Sequence, residues 1–273
     1  MIDKIKSIFI IPELRSKIIF TLSILVVVRI GAHIPIPGVN GEVLSMAFAD
    51  LKTGLFGLFN TFVGGAFEQA SLFSLGIMPY ISSSIIIQLM GSVIPYFQRL
   101  QKEGEAGRKK ITQITRYGTV VLSLMQSYGV VAVFLPSLNA NGQEVVSNPG
   151  WIFTFTGMVS MVTGTLFLMW LGERITEVGI GNGISLIIMV GIVSAFPNVI
   201  LNEITMVQSG ARGLLSEFIL MGFMYAIICF VVLLTQGTRK IPVQYAKRVV
   251  GRKIYGGQNT HIPMRVNTAG VMP

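Results

Sequence analysis

The chain has 273 residues, of which 52% are hydrophobic and only 12% charged, against about 25% charged in soluble domains. With a mean hydropathy of +0.69 it cannot supply a soluble surface, and it is too apolar for a disordered chain. Its single cysteine, Cys229, excludes an intrachain disulfide and a cysteine-based zinc cluster, and a net charge of +9 makes the placement of the basic residues the first question.

Six apolar stretches stand out, at roughly 17–34, 73–94, 116–135, 151–171, 183–201 and 214–235. Each is about as long as a helix must be to cross about 30 Å of hydrocarbon. The ten-residue alternating strands of an outer-membrane barrel are absent. The expected fold class is therefore all-α, a polytopic membrane protein.

Residues 1–16 carry Lys4, Lys6 and Arg15, followed by Lys17 at the mouth of the first stretch. That stretch is long, contains Arg29 and runs into His33-Ile34-Pro35-Ile36-Pro37-Gly38, not a small-residue cleavage site. It reads as a retained helix, not a cleaved signal peptide. The connection 35–72 is long for a loop. Within it, Leu55 to Phe67 is apolar but too short to span, which fits either a re-entrant helix or a helix lying on the outer leaflet.

The connection after the second stretch holds Arg99, Lys102, Arg108, Lys109, Lys110 and Arg116, and Arg174 follows the fourth. Residues 236–266 hold Arg239, Lys240, Lys247, Arg248, Arg252, Lys253 and Arg265, with no Asp or Glu. In all, 18 of the 21 basic residues fall on one side, with Arg29, Lys52 and Arg212 on the other. The positive-inside rule then places the N-terminus and the basic loops in the cytoplasm. The loop 236–266 is longer than topology requires. It reads either as an ordinary basic loop near anionic lipid or as a docking surface for a large anionic partner. The last residues, 267–273, open a new apolar run, so the chain is expected to be the N-terminal part of a longer one.

Chemistry is sparse. The spans hold almost no ionisable groups besides Arg29 and Glu217, whereas ion-coupled pumps place carboxylates or lysines in mid-membrane. His33 and His261 fall on opposite sides of the bilayer, so no Ser–His pair forms within a span, and no HExxH is present. Gly179-Ile180-Gly181-Asn182-Gly183 lacks the strand and the lysine of a phosphate loop, and reads as a tight turn. No cofactor, metal or catalytic residue is expected. Ile77 and Ile81, four apart, share a helix face, as do Ile184 and Ile188. Such pairs suit ordinary packing or a hydrophobic constriction.

Five stretches together resemble the SecY family of protein-conducting channel subunits: RIGAHIPIPG at 29–38, FSLGIMPYISSSIIIQL at 73–89, KEGEAGRKKITQITRYG at 102–118, TGTLFLMWLGERITEVGIGNG at 163–183 and QYAKRVVGRKIYGGQNTHIPMRVNTAG at 244–270. The resemblance runs from about residue 15 to the end. It implies ten helices in two inverted halves around an hourglass pore. Residues 17–235 would form the first six-helix half, 236–266 the cytoplasmic docking loop, and 267–273 the start of a seventh helix.

The resemblance also implies roles for particular residues. Ile77, Ile81, Ile184 and Ile188 fall on the pore ring. Residues 55–69 fall on the plug, with Phe59, Asn60, Phe62, Gly64, Gly65 and Phe67. The second span falls on the lateral gate, where Ser82, Ser83, Ser84 and Gln88 add polarity or serve plain interhelical hydrogen bonding. Arg239, Lys240, Lys247, Arg248, Arg252 and Lys253 fall on the surface that docks the ribosome, with its RNA, and the motor ATPase SecA, with Lys109 and Lys110 as weaker candidates. SecE and SecG are implied partners, and a bacterial inner membrane is the implied location. A passive channel component, not an enzyme, is expected. A polytopic solute transporter is the alternative, and an intramembrane hydrolase using Ser185 or His33 a more distant one.

Overall fold

Prolines and glycines cut the apolar stretches into the helices that the chain builds. The structure, a computed structural model, describes residues 11–49, 54–140, 142–210, 212–243, 248–250, 253–255 and 260–265. It separates into two compact units, one reaching Val199 and the other covering Ile200–Met272.

In the first unit α1 (Pro12–Gly31) opens on a proline, whose fixed φ and missing N–H suit the first helical turn. After α2 (Gly41–Ala49) and the short α3 (Leu55–Phe62), turns carry the chain to α4 (Met78–Val93). The second expected span thus begins at Met78, not at Phe73. At Pro95 the chain bends by 99° into α5 (Pro95–Lys102). The cause is local: Ile94 is extended, at φ −95° and ψ 122°, as a residue before proline is driven to be.

The third span is longer than its apolar core. α6 (Glu105–Tyr128) continues through a π-helical segment, Gly129–Phe134, to Ser137, after which β1 (Asn139–Ala140) and β2 (Gln143–Glu144) pair antiparallel. α7 (Trp151–Val178) likewise runs past the expected end of its stretch. The fifth stretch breaks after α8 (Gly183–Val193), and α9 (Phe196–Gln208) follows. Four helical segments among the described residues are long and apolar enough to cross a membrane unaided, and the bent pair α4–α5 adds a fifth. α1 matches the remaining stretch, but Glu13, Arg15, Lys17 and Arg29 shorten its uncharged part to Ile18–Val28.

Helices pack closely because small residues line their contacts. Thr115, Thr119, Ser123 and Ser127 recur every fourth position on α6 and are all buried. Each hydroxyl bonds to its own helix's backbone three or four residues back, as Thr119 Oγ1 does to Thr115 O at 2.8 Å. The stripe is thereby satisfied and small, the condition for close approach of helices in lipid. Arg116 forks onto Glu173 of α7 at 3.0 and 2.7 Å, a bidentate pair that sets the register of these two helices.

The second unit holds the end of α9, then α10 (Leu214–Gln236), with Arg212 Nη1 2.8 Å from Glu203 Oε2 in the turn between them. Beyond α10, β3 (Thr238–Val243) pairs antiparallel with β6 (Thr260–Arg265), and β4 (Arg248–Val250) with β5 (Lys253–Tyr255). The basic loop is thus built on two ribbons, which its charge pattern did not announce.

A Cβ at Gly164 of α7 would run into the Leu72 carbonyl oxygen, backbone that cannot swing away, whereas Gly222 of α10 has open space around it. Gly164→Ala is expected to destabilise the purified protein by about 1–3 kcal/mol, the usual cost of overpacking. Gly222→Ala should change stability by no more than about 0.5–1 kcal/mol, in the stabilising direction. Thermal unfolding in detergent checks the order, and equal melting temperatures would contradict the packing described.

Candidate functional site

The four isoleucines sit on two helix starts. Ile77 is the residue before α4 and Ile81 lies one turn on, while Ile184 and Ile188 lie a turn apart on α8. The start of α8 is pinned. Asn182 caps it, its Oδ1 accepting from the N–H groups of Ile184 at 3.1 Å and Ser185 at 3.3 Å, a preferred use of Asn. Thr176 Oγ1 of α7 accepts from Gly183 N at 2.9 Å. The structure brings all four isoleucines into one apolar cluster with Ile24, Val28, Phe73 and Leu168. Ile77 and Ile184 are buried, and Ile81 and Ile188 are half-buried against them. Beside the cluster is a cavity of about 40 Å³ lined by Val28, Phe62, Val63, Ile77 and Ile188, with Arg29 as its one charged neighbour.

The segment after α2 closes over that cavity. α3 places Phe59 and Phe62 one turn apart, and a turn through Gly64 and Gly65 reverses the chain, both at positive φ (69° and 84°). Asn60 holds the turn together: its Nδ2 donates to Glu68 Oε2 at 3.1 Å, its Oδ1 accepts from Glu68 N at 3.1 Å, and its carbonyl accepts from Gly65 N at 2.9 Å. Phe67 is the apolar anchor. Its ring centroid lies 5.3 Å from Phe48 and 5.1 Å from Phe59, both edge-on, and 5.6 Å from Phe134, stacked. These are favoured aromatic geometries.

Two larger clefts flank the segment. One, of about 560 Å³, is polar, with Arg29, His33, Asn60, Thr61, Glu68 and Ser194 on its walls. The other, of about 680 Å³, is apolar, with Phe56, Phe59, Phe62, Met78 and Phe134. The segment therefore shows Asn60 and Thr61 to one side and its phenylalanines to the other.

The polar residues of α4 do not gather at one place. Ser82 lines the apolar groove, Ser83 is buried and donates to Thr115 O of α6 at 2.9 Å, and Gln88 is exposed. Arg239 and Lys240 are exposed neighbours on β3, so they project from opposite faces of the ribbon. Arg248 lies on β4 and Lys253 on β5, while Lys247 and Arg252 lie outside the described residues. Sequence reasoning gave no site role to Val63, Gly191 or Arg29. Arg29 carried the one signal that could have found it, a lone charge inside an otherwise uncharged run.

A family model described as SecY matches residues 71–273. The protein translocase subunit SecY of Escherichia coli (strain K12) is 49% identical over 261 residues, covering 96% of this chain and 58% of that protein. The protein of the same name from Buchnera aphidicola subsp. Acyrthosiphon kondoi is also 49% identical over 261 residues, covering 96% of this chain and 73% of that protein. The chain thus spans 58% to 73% of the length of these curated relatives. Among solved structures, one of a protein-conducting channel matches with a TM-score of 0.61 at 18% identity, over 91% of this chain and 52% of that one. Sec61 in the canine ribosome–channel complex from the endoplasmic reticulum matches with a TM-score of 0.56 at 18% identity, over 85% and 49%. At that identity the two structures show the fold. With its apolar helices and these relatives, the protein is an all-α, multi-pass membrane protein, and the chain belongs to the SecY family.

Proposed function

We propose that the chain is part of the channel-forming subunit of a Sec translocase. That subunit passes unfolded secretory proteins across a bacterial inner membrane and releases transmembrane segments sideways into lipid. The observation that carries this reading is the cluster of Ile77, Ile81, Ile184 and Ile188 with a short re-entrant segment seated over it. A constriction of flexible aliphatic side chains passes many kinds of residue because it binds none, and its apolarity opposes water and ions. The segment 55–69 is the plug that seals it at rest. α4, with Ser82, Ser83 and Gln88, is one wall of the lateral gate, and the apolar groove beside Ser82 is where a departing apolar segment first leaves the pore.

The N-terminus and the ribbons face the cytoplasm, as the placement of basic residues requires. SecE and SecG accompany the subunit. SecA or the ribosome supplies the driving force from outside, since the chain shows no nucleotide motif. Arg239, Lys240, Lys247, Arg248, Arg252 and Lys253 take part in docking, through contacts to RNA phosphates or acidic protein surface.

Two outcomes test the reading. The first concerns ion conductance through the whole channel, completed by its second half and SecE. The resting channel should be tight and should leak once residues 57–67 are deleted. If both forms stay tight, the segment is not the seal. Replacing Ile188 by Asn should also raise the resting leak, because a polar side chain in the ring invites water. The second concerns docking. Because Arg239 and Lys240 project from opposite faces of β3, a partner that covers one face is sensitive to one of them. Arg239→Glu and Lys240→Glu should weaken ribosome binding unequally, and the more damaging change should flatten its salt dependence by roughly one ion per molecule. Equal losses would contradict docking by one face of the ribbon.

A further inference from the structure

Arg29 is used neither by the topology nor by the isoleucine cluster. It stands in the last turn of α1, half-buried, where the small apolar cavity meets the polar cleft, and it lines both. A guanidinium among membrane-spanning helices is costly unless the protein gives it partners. Here Nη1 donates to the carbonyl oxygen of Gly64 at 3.1 Å, joining positions 35 residues apart.

The receiving backbone is held in a slot. Gly64 stands at φ +69°, and a Cβ on it would lie 2.8 Å from Arg29 Nη1 and 2.8 Å from the Cα of Gly191 on α8. From the other side, a Cβ on Gly191 would lie 3.1 Å from the Phe62 carbonyl oxygen. The turn that ends the re-entrant segment is thus wedged between the backbone of α8 and the charged end of α1. Only glycine fits at its centre, for both conformation and space.

We infer that Arg29 is the positioning residue that latches the plug. Its charge-assisted hydrogen bond to Gly64, across the Gly64–Gly191 contact, keeps the segment seated and must break before the segment can leave. The inference rests on the plug reading above. The placement of Arg29 also makes the latch reversible. When the bond breaks, the guanidinium already borders the polar cleft, with Asn60, Thr61 and Ser194 on its walls. It is solvated there and not stranded in the apolar cavity. The carbonyl of Gly64 departs with the segment, so one event removes both the seal and its tether. A charged donor makes the bond stronger than a neutral one, so one contact suffices to bias a segment otherwise held by aromatic packing and its own turn.

The test uses the complete channel with SecE, reconstituted into vesicles, with resting ion leak as the readout. Arg29→Gln is expected to raise the leak roughly tenfold or more, because the closed state loses a charge-assisted bond that the open state never had. Arg29→Lys, which keeps a charged donor, should stay nearer the parent. Gly64→Ala leaves the arginine in place but spoils the seat, and should leak as well, which keeps the inference testable if Arg29→Gln fails to fold. Adding Arg29→Gln to the 57–67 deletion should increase the leak no further. A tight Arg29→Gln or a tight Gly64→Ala channel overturns the latch. So does an Arg29→Gln effect of the same size in the deletion background, since Arg29 would then act on the pore directly. A deletion channel that does not leak sinks the plug reading itself, an outcome separate from any result at Arg29.

Discussion

Backbone that leaves a helix among membrane-spanning segments must find hydrogen-bond partners in protein, because hydrocarbon offers none. The stretch from Val63 to Ile77 meets much of this demand with bonds of its own. Gly65 N reaches Asn60 O at 2.9 Å, Ser71 N reaches Ala66 O at 3.0 Å, and Gly76 N reaches Phe73 O at 2.8 Å. The stretch is also stitched to the segment after α1, through Ile36 N to Ala70 O and Leu72 N to Ile34 O, each at 2.9 Å. Buried Ser71 and Ser74 add side-chain bonds: Ser71 Oγ accepts from Phe73 N, and Ser74 Oγ donates to the carbonyl of Ser71. Without this local closure the segment could not sit beside the isoleucine cluster, and the cluster would have nothing over it.

The cluster in turn depends on how its two helices begin. α8 is capped by Asn182 and tied to α7 through Thr176. α4 begins at Met78 with Pro79 in its first turn. Both isoleucine pairs lie within the first two turns, where helix ends are usually loosest. The Asn182 cap and the Gly183–Gly172 contact fix the start of α8, and Gly76 packed against Val63 precedes α4, while the side chains of Ile81 and Ile188 remain half-buried.

The segment 55–69 has its own division of labour. Its phenylalanines anchor it through Phe67 to Phe48 and Phe134, while Asn60 and Glu68 keep its turn intact as a unit. A segment closed on itself can move as one body, because its internal bonds need not break. For the departure proposed above, what must break is external: aromatic contact, the slot at Gly191, the bond from Arg29 and the bonds that Ser71 N and Ser74 Oγ make to the Ala66 carbonyl. The ribbons of the second unit show a comparable economy. Pro242 and Pro263 remove N–H groups from both strands of the β3–β6 pair. Such edges are poor templates for added strands, which leaves the two faces to recognise a partner.

Much of this was legible in the residues. Composition and run length identify an all-α membrane protein, and the spacing of Ile77 with Ile81 and of Ile184 with Ile188 puts each pair on one helix face, because these depend only on neighbours along the chain. The late start of α4, the bend at Pro95, the π-helical end of α6 and the pairing of Thr238–Val243 with Thr260–Arg265 were not read, although Pro95 was visible. Tertiary structure alone decided that the two isoleucine pairs share one cluster, that Ser83 is spent on Thr115 instead of facing the groove, and that Arg29 meets Gly64. Periodicity says which residues share a face but not which face meets another. That choice rests on contacts between segments tens of residues apart, where small residues permit close approach and each buried polar group must find its partner.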